Sequence, residues 1–182
     1  MYSRKIRSNG SGLSPSARPR LYGIDVDNLE SVCVAALKER GVTLAAAESC
    51  TGGLIAKRIT DVPGASAVFL GGVVSYTNGV KANVLNVPQA LLNVHGAVLE
   101  PVAIAMAEGV KALTGADYSL SVTGVAGPDS DERGNPVGLV YIGLASPEGT
   151  VCRKCEFGKR SRDHIRAQAV NTALDMLRRE LQ

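Results

Sequence analysis

Tryptophan is absent from this chain of 182 residues, aromatic side chains make up only 4% of it, and histidine occurs twice. A core with so few rings has to be built from Ala, Val, Leu and Ile, whose small volumes let helices lie close on a sheet. The two histidines, His95 and His164, argue against a multi-histidine metal site, and neither sits in a loop that would suit a Ser-His-Asp triad. Neither metal nor cofactor is expected. Four cysteines (Cys33, Cys50, Cys152, Cys155) lack the dense, regular spacing of a disulfide framework and read as reduced thiols of a cytoplasmic protein. The C-x-x-C pair Cys152 and Cys155 has no second pair to complete a zinc site and falls in a strand-like stretch. No apolar run approaches the ~20 residues of a membrane helix, and the N-terminus lacks the apolar core of a secretory signal, so no membrane partner is expected. G-x-G-x-x-G and P-loop patterns are missing too, which removes support for the common dinucleotide and triphosphate sites.

What is present is an ordinary globular balance of 45% hydrophobic and 20% charged residues, enough for one domain with a sizeable core. The net charge of +3 is unevenly placed. Residues 1–24 carry Arg4, Lys5, Arg7, Arg18 and Arg20 with no acid, leaving 15 basic against 17 acidic residues beyond them. Residues 1–24 therefore read as a disordered basic tail, residues 25–182 as a single near-neutral domain, and a nucleic-acid partner is not indicated.

Periodicity divides that domain. Leu29, Val32, Cys33, Ala36 and Leu37 recur at helical spacing before Gly41. Thr43 to Ala47 reads as a buried strand, Thr51 to Thr60 as a helix, and residues 67–77 as a strand with a bulge or bend at Gly71-Gly72. Asn78 is placed to cap a short helix through Leu85. Glu100-Pro101 opens a helix with Val102, Met106, Val110 and Leu113 on one stripe, ended by Gly115. Tyr118 to Thr123 is a strand, Val137–Ala145 and Thr150–Phe157 form a hairpin across Pro147-Glu148-Gly149, and a last helix spans Arg162 to Leu181. Helices alternating with strands and a late hairpin predict an α/β fold, a three-layer α/β/α sandwich around a mixed, partly parallel sheet. The loops Glu48–Gly53 and Thr123–Pro128 both follow short apolar strands, and parallel neighbours would bring them to one sheet edge, where ligands bind.

Three segments there carry chemistry. In Glu48-Ser49-Cys50-Thr51-Gly52-Gly53 a strand delivers hydroxyls to a helix start whose free N–H groups suit a phosphate or an oxyanion beside a nucleophilic Ser49. A plain N-cap with close-packed glycines would have the same spacing. In Ser75-Tyr76-Thr77-Asn78-Gly79-Val80-Lys81 the lysine falls in a helix's first turn, where a cation is unfavourable, so burial would make Lys81 a candidate base. A solvated lysine on an exposed helix, with Tyr76 packed on the sheet, is the simpler alternative. Thr123-Gly124-Val125-Ala126-Gly127-Pro128 opens backbone N–H groups beside a hydroxyl, as a phosphate loop or as a tight turn. Arg162 and Arg166 share one face of the last helix, where Arg162 could reach a phosphate with its planar fork or both arginines simply be solvated. Cys50 is a rival nucleophile without a paired histidine.

Taken together, Ala47 to Gly53, the Asp61-Val62-Pro63-Gly64-Ala65-Ser66 turn, Tyr76-Thr77-Asn78 with Lys81, Gly96-Ala97-Val98, and Thr123 to Pro128 with Pro136-Val137-Gly138 closely resemble the CinA C-terminal domain family, the nicotinamide-nucleotide amidases. The resemblance runs from about residue 27 to 180. It implies metal-independent deamidation of nicotinamide mononucleotide, a small-molecule pyridine nucleotide, to nicotinate mononucleotide and ammonia. It also implies Ser49 as nucleophile with Tyr76 and Lys81 as polar partners, Thr123, Gly124 and Gly127 as substrate contacts, and a like role for Arg162; the N–H groups near Thr51, Gly52 and Gly53 are then expected to hold the oxyanion. Many relatives open the last helix with Gly-Asp-Arg, whereas Arg160-Ser161-Arg162 stands here, so the acidic position is lost. A non-catalytic nucleotide-binding module is the competing reading, and the Ala-rich helices are compatible with a homodimer.

Overall fold

A computed structural model describes residues 28–182, so the basic segment 1–24 lies outside the described residues. The first helix, α1 (Leu29–Arg40), starts where the Asn28 side chain accepts the Ser31 N–H and stops at Gly41 in the left-handed conformation. It leads into strand β1 (Leu44–Glu48) and helix α2 (Leu54–Thr60), followed by β2 (Phe69–Val74), α3 (Asn78–Leu85), α4 (Gln89–His95) and α5 (Glu100–Thr114). Strands β3 (Tyr118–Gly124), β4 (Leu139–Ser146) and β5 (Gly149–Glu156) precede the last helix, α6 (Arg162–Glu180).

The sheet order is β2-β1-β3-β4-β5, with β1 parallel to both β2 and β3 and the β3-β4-β5 part antiparallel. The mixed sheet is therefore as expected, and β1 and β3 bring their carboxyl ends to one edge. Every residue of β1 is buried, because side chains alternate between two covered faces. Leu44 and Ala46 join α1, α2 and α6 in one core. Ala45 and Ala47 join α3, α4 and α5 in the other. On β3 the alternation is chemical: Tyr118, Leu120 and Val122 pack in the first core, while Ser119 and Ser121 face α5. Their hydroxyls donate to Ala107 O and Ala103 O, both at 2.6 Å. A side chain on Gly143 of β4 would put Cβ 2.8 Å from Ala103 O, so α5 lies directly on the sheet backbone.

Several local expectations shift. The bulge before Gly71 is present, with Leu44 opposite Phe69 and Ala45 opposite Gly71, leaving Leu70 as the extra residue. The α3 cap is Thr77, not Asn78, since the Thr77 hydroxyl accepts the Val80 N–H; Lys81 therefore lies one position deeper in the helix. Helix α2 starts at Leu54 rather than Thr51, because Gly52 and Gly53 both take positive φ. Leu113, expected on the buried stripe of α5, is 55% exposed in the last turn. Helix α4 has no counterpart in the periodicity reading: it is seven residues long and starts at Pro88 without a side-chain cap. Cys152 and Cys155, three apart on a strand, point to opposite faces of β5 and are both free. Among the described residues, no helix is long and apolar enough to cross a membrane, and no three His, Cys, Asp or Glu side chains are grouped to hold a metal ion.

Candidate active site

Ser49 extends β1 by one residue, its N–H bonded to Val122 O at 2.9 Å. The preceding side chain, Glu48, turns to the other face of β1 and fills the start of α2. Its carboxylate accepts N–H bonds from Gly53 (3.1 Å), Ile55 (3.0 Å) and Ala56 (2.9 Å). The Gly52 N–H meets Ser49 O at 3.0 Å. The expectation that the Gly52 and Gly53 N–H groups face a ligand is thus corrected: both are satisfied within the turn. The N–H groups of Cys50 and Thr51 are bonded to no backbone carbonyl among the described residues, and that of Cys50 is directed at its own thiol. A buried carboxylate at this helix start also works against a phosphate cradle there.

Lys81 comes from α3 on the side of Ser49. It is 1% exposed, and its Nζ lies 3.0 Å from Ser49 Oγ and 2.6 Å from Ser75 O. Burial holds its pKa down to about 8, against a smaller upward influence from Cys50. A substantial neutral fraction near pH 8 suits a base for a hydroxyl at this distance. The solvated-lysine reading is excluded by burial alone. Cys50, by contrast, packs in the first core, and desolvation pushes its thiol up to about 12, which leaves no useful thiolate at neutral pH.

The Tyr76 hydroxyl is bonded to Arg162 rather than to Ser49. Tyr76 is 58% exposed, and its hydroxyl accepts from Arg162 Nη2 at 2.9 Å, while Arg162 Nη1 donates to Gly127 O at 2.8 Å. The guanidinium thereby ties α6 to the β2–α3 and β3–β4 connections. Ser161 caps α6 by accepting the His164 N–H, so the position that loses the usual acid keeps a capping oxygen. Thr123 continues the row of Ser119 and Ser121, its hydroxyl donating to Ala97 O at 2.8 Å. Gly124 is needed for close approach, since a Cβ there would lie 2.6 Å from Leu139 O. Beyond Gly127, residues Pro128, Ser130, Val137 and Lys159 contribute to a cavity of ≈ 530 Å³ that adjoins this cluster and does not include Ser49 or Lys81.

Sequence reasoning left three contributors aside. Glu48 organises the turn, Arg166 donates to Thr51 O at 2.8 Å, and Ser75 receives Lys81. Arg166 stood out only as a helix partner of Arg162, and Glu48 and Ser75 only as neighbours of the residues singled out. Among the described residues, the buried side-chain polar atoms without a partner are Thr51 Oγ1, Ser75 Oγ and Arg166 Nε. All three belong to this cluster.

The fold and site define a class: a three-layer α/β/α domain with a buried serine–lysine pair at the carboxyl edge of its parallel strands. Residues 26–181 match the CinA C-terminal domain model, and the chain belongs to that family. A putative competence-damage inducible protein of Caldanaerobacter subterraneus subsp. tengcongensis is 49% identical over 162 residues, covering 89% of this chain and 39% of that protein. A CinA-like protein of Desulfotalea psychrophila is 50% identical over 178 residues, 98% of this chain and 43% of that protein. The chain thus spans about two fifths of the length of these curated relatives. Among solved structures, the competence/damage inducible protein CihA from Agrobacterium tumefaciens is similar, with a TM-score of 0.80 and 36% identity over 85% of this chain and 96% of that one. A CinA superfamily protein from Klebsiella pneumoniae has a TM-score of 0.81 and 34% identity over 84% of this chain and 95% of that one.

Proposed function

We propose that this chain hydrolyses the carboxamide of nicotinamide mononucleotide to nicotinate mononucleotide and ammonia, through an acyl-enzyme on Ser49. The observation that carries the reading is the 3.0 Å contact between Ser49 Oγ and a lysine that is buried and poised near pH 8. Lys81 takes the hydroxyl proton as Ser49 Oγ bonds to the amide carbon. The Cys50 and Thr51 N–H groups receive the oxyanion, each donor of this kind being worth roughly 3 kcal/mol of barrier. As the C–N bond breaks, Lys81 returns the proton to the leaving nitrogen, and water then hydrolyses the ester by the same route. Arg162, with Tyr76 on its guanidinium, holds the nucleotide end, which favours the α6 side because Glu48 repels an anion from the start of α2.

Ammonia release from nicotinamide mononucleotide, followed with a chelator present, tests this directly. Turnover by the native chain that disappears in Ser49→Ala and in Lys81→Met is the expected result. Nucleotide binding without ammonia release would establish the binding-module reading in its place.

A further inference from the structure

Continuing the register of the parallel strands one step past Glu48↔Val74 and Glu48↔Val122 aligns Ser75, Ser49 and Thr123 as a row across β2, β1 and β3. The Ser75 N–H bonds to Glu48 O at 2.8 Å, so the ladder does extend to that residue. By the alternation that sends Ala45, Ala47 and Val73 into the second core, all three side chains face α3 and α5. Two of the three hydroxyls have partners: Ser49 meets Lys81, and Thr123 meets Ala97 O. The third does not. Ser75 is 0% exposed and its Oγ is unpartnered, although its own carbonyl already holds Lys81 Nζ at 2.6 Å.

A protonated lysine has three donors. Once Lys81 has taken a proton from Ser49, one donor faces Ser49 Oγ and one faces Ser75 O, and among the described residues no acceptor is engaged by the last. In its present rotamer the Ser75 hydroxyl makes no bond to Nζ either, so a turn about its Cα–Cβ bond is what brings it to the ammonium. We propose that the Ser75 hydroxyl is the third seat of the Lys81 ammonium, a positioning residue that accepts the extra N–H when the proton arrives from Ser49. No bond is made or broken at Ser75; its hydroxyl stabilises the charge that forms on Lys81 and releases it when the proton moves on.

The surroundings leave this role to Ser75. Cys50, on the β1–α2 turn, is the titratable group that acts on Lys81, and its thiol is neutral. Glu48 lies on the opposite face of β1 with its carboxylate occupied by α2, Arg162 is bonded to Tyr76 and Gly127, and no charged side chain of α4 or α5 acts on Lys81. The kinetic consequence rests on the amidase reading, whereas the proton seat itself does not, so two readouts separate them. In the 182-residue chain with carbon-13 at the lysine Cε, the Lys81 signal, assigned by its loss in Lys81→Met, is titrated for the native sequence, Ser75→Ala and Ser75→Thr. Removing an acceptor of the charged form lowers the midpoint, by about one to two pH units for a hydrogen bond to an ion, and threonine restores it. In the same variants, kcat for nicotinamide mononucleotide falls about tenfold to a hundredfold in Ser75→Ala with KM little changed, and recovers in Ser75→Thr. Should the threonine methyl prevent folding, the alanine midpoint decides by itself, since that variant only removes one oxygen. A folded Ser75→Ala protein with an unmoved Lys81 midpoint overturns the inference. A lowered midpoint in a protein whose native form releases no ammonia supports the seat and overturns the amidase reading.

Discussion

Lys81 concentrates the residue-scale physics of this molecule. Burial lowers its pKa from the ordinary 10.5 to about 8, so the neutral amine becomes available close to physiological pH. If it is the base, kcat/KM should climb roughly tenfold per pH unit below about 8 and level off above it. A profile flat from pH 6 to 9 would contradict that assignment. The same shift has a stability consequence whose sign is fixed. Between about 8 and 10.5 the unfolded chain binds the proton that the folded chain has lost, so stability rises with pH through that window and the cost of a buried charge is complete below it. Lys81→Met should therefore stabilise the fold at pH 7, by ~1–3 kcal/mol after the lost hydrogen bonds are allowed for, and by much less at pH 10.5. Denaturant titrations at the two pH values measure the difference. Cys50→Ala should retain most of the turnover, because a thiol held at about 12 contributes packing rather than a nucleophile; inactivation of that variant would restore the cysteine as a rival. Lys81 was legible in the sequence because a cation in a helix's first turn is out of place. Its partner Ser75 was not, since the contact is made where α3 folds back on the end of β2, six residues away, and no apolar period announces that turn. The pairing of Tyr76 with Arg162 was equally invisible, because it joins residues 86 positions apart.

At the scale of elements, the site depends on how helices begin and how closely they approach. Helix α2 has no side-chain cap of its own, and Glu48, from the strand before it, supplies the missing acceptor three times. Glu48→Gln keeps the shape but not the charge, and should cost about 2 kcal/mol in stability while lowering turnover by loosening the Cys50–Thr51 turn. Thermal unfolding alongside ammonia release checks both. Helix α3, which carries Lys81, meets α5 at Gly109, where an added Cβ would sit 2.0 Å from Leu85 O. Gly109→Ala must push the two helices apart, at about 1–3 kcal/mol, and carries Lys81 away from Ser49; unchanged turnover in a folded variant would show that the α3–α5 spacing is not what places the lysine. Long, periodic elements such as α1, α5 and α6 were readable from their stripes and stops. The starts of α2 and α3 each moved because a turn residue, not an apolar period, decides them, and α4 is too short to show a period at all.

For the whole molecule, the strand order places every residue of the cluster within 28–182, with the two halves of the site contributed by opposite layers: Lys81 from one, Arg162 and Arg166 from the other. A chain lacking residues 1–24 should therefore retain ammonia release at close to the rate of the 182-residue chain, and a large loss would give that segment a role in the site. The α/β/α class followed from alternation of periods, but which strand neighbours which did not, because pairing depends on crossovers that local patterns do not encode.

The hydroxyls of Ser119 and Ser121 add a metrical consequence. Two residues of a strand advance about 6.6 Å and four residues of a helix about 6 Å, so the graduations of β3 and α5 coincide like those of a vernier over one interval and then drift apart. The next mark, Thr123, already falls off the helix and engages Ala97 instead. The two bonds are made together where α5 now lies, and sliding the helix along the strand by part of a turn loses both at once. The pair of bonds thus pins the axial position of α5, the helix on which α3 and its Lys81 rest.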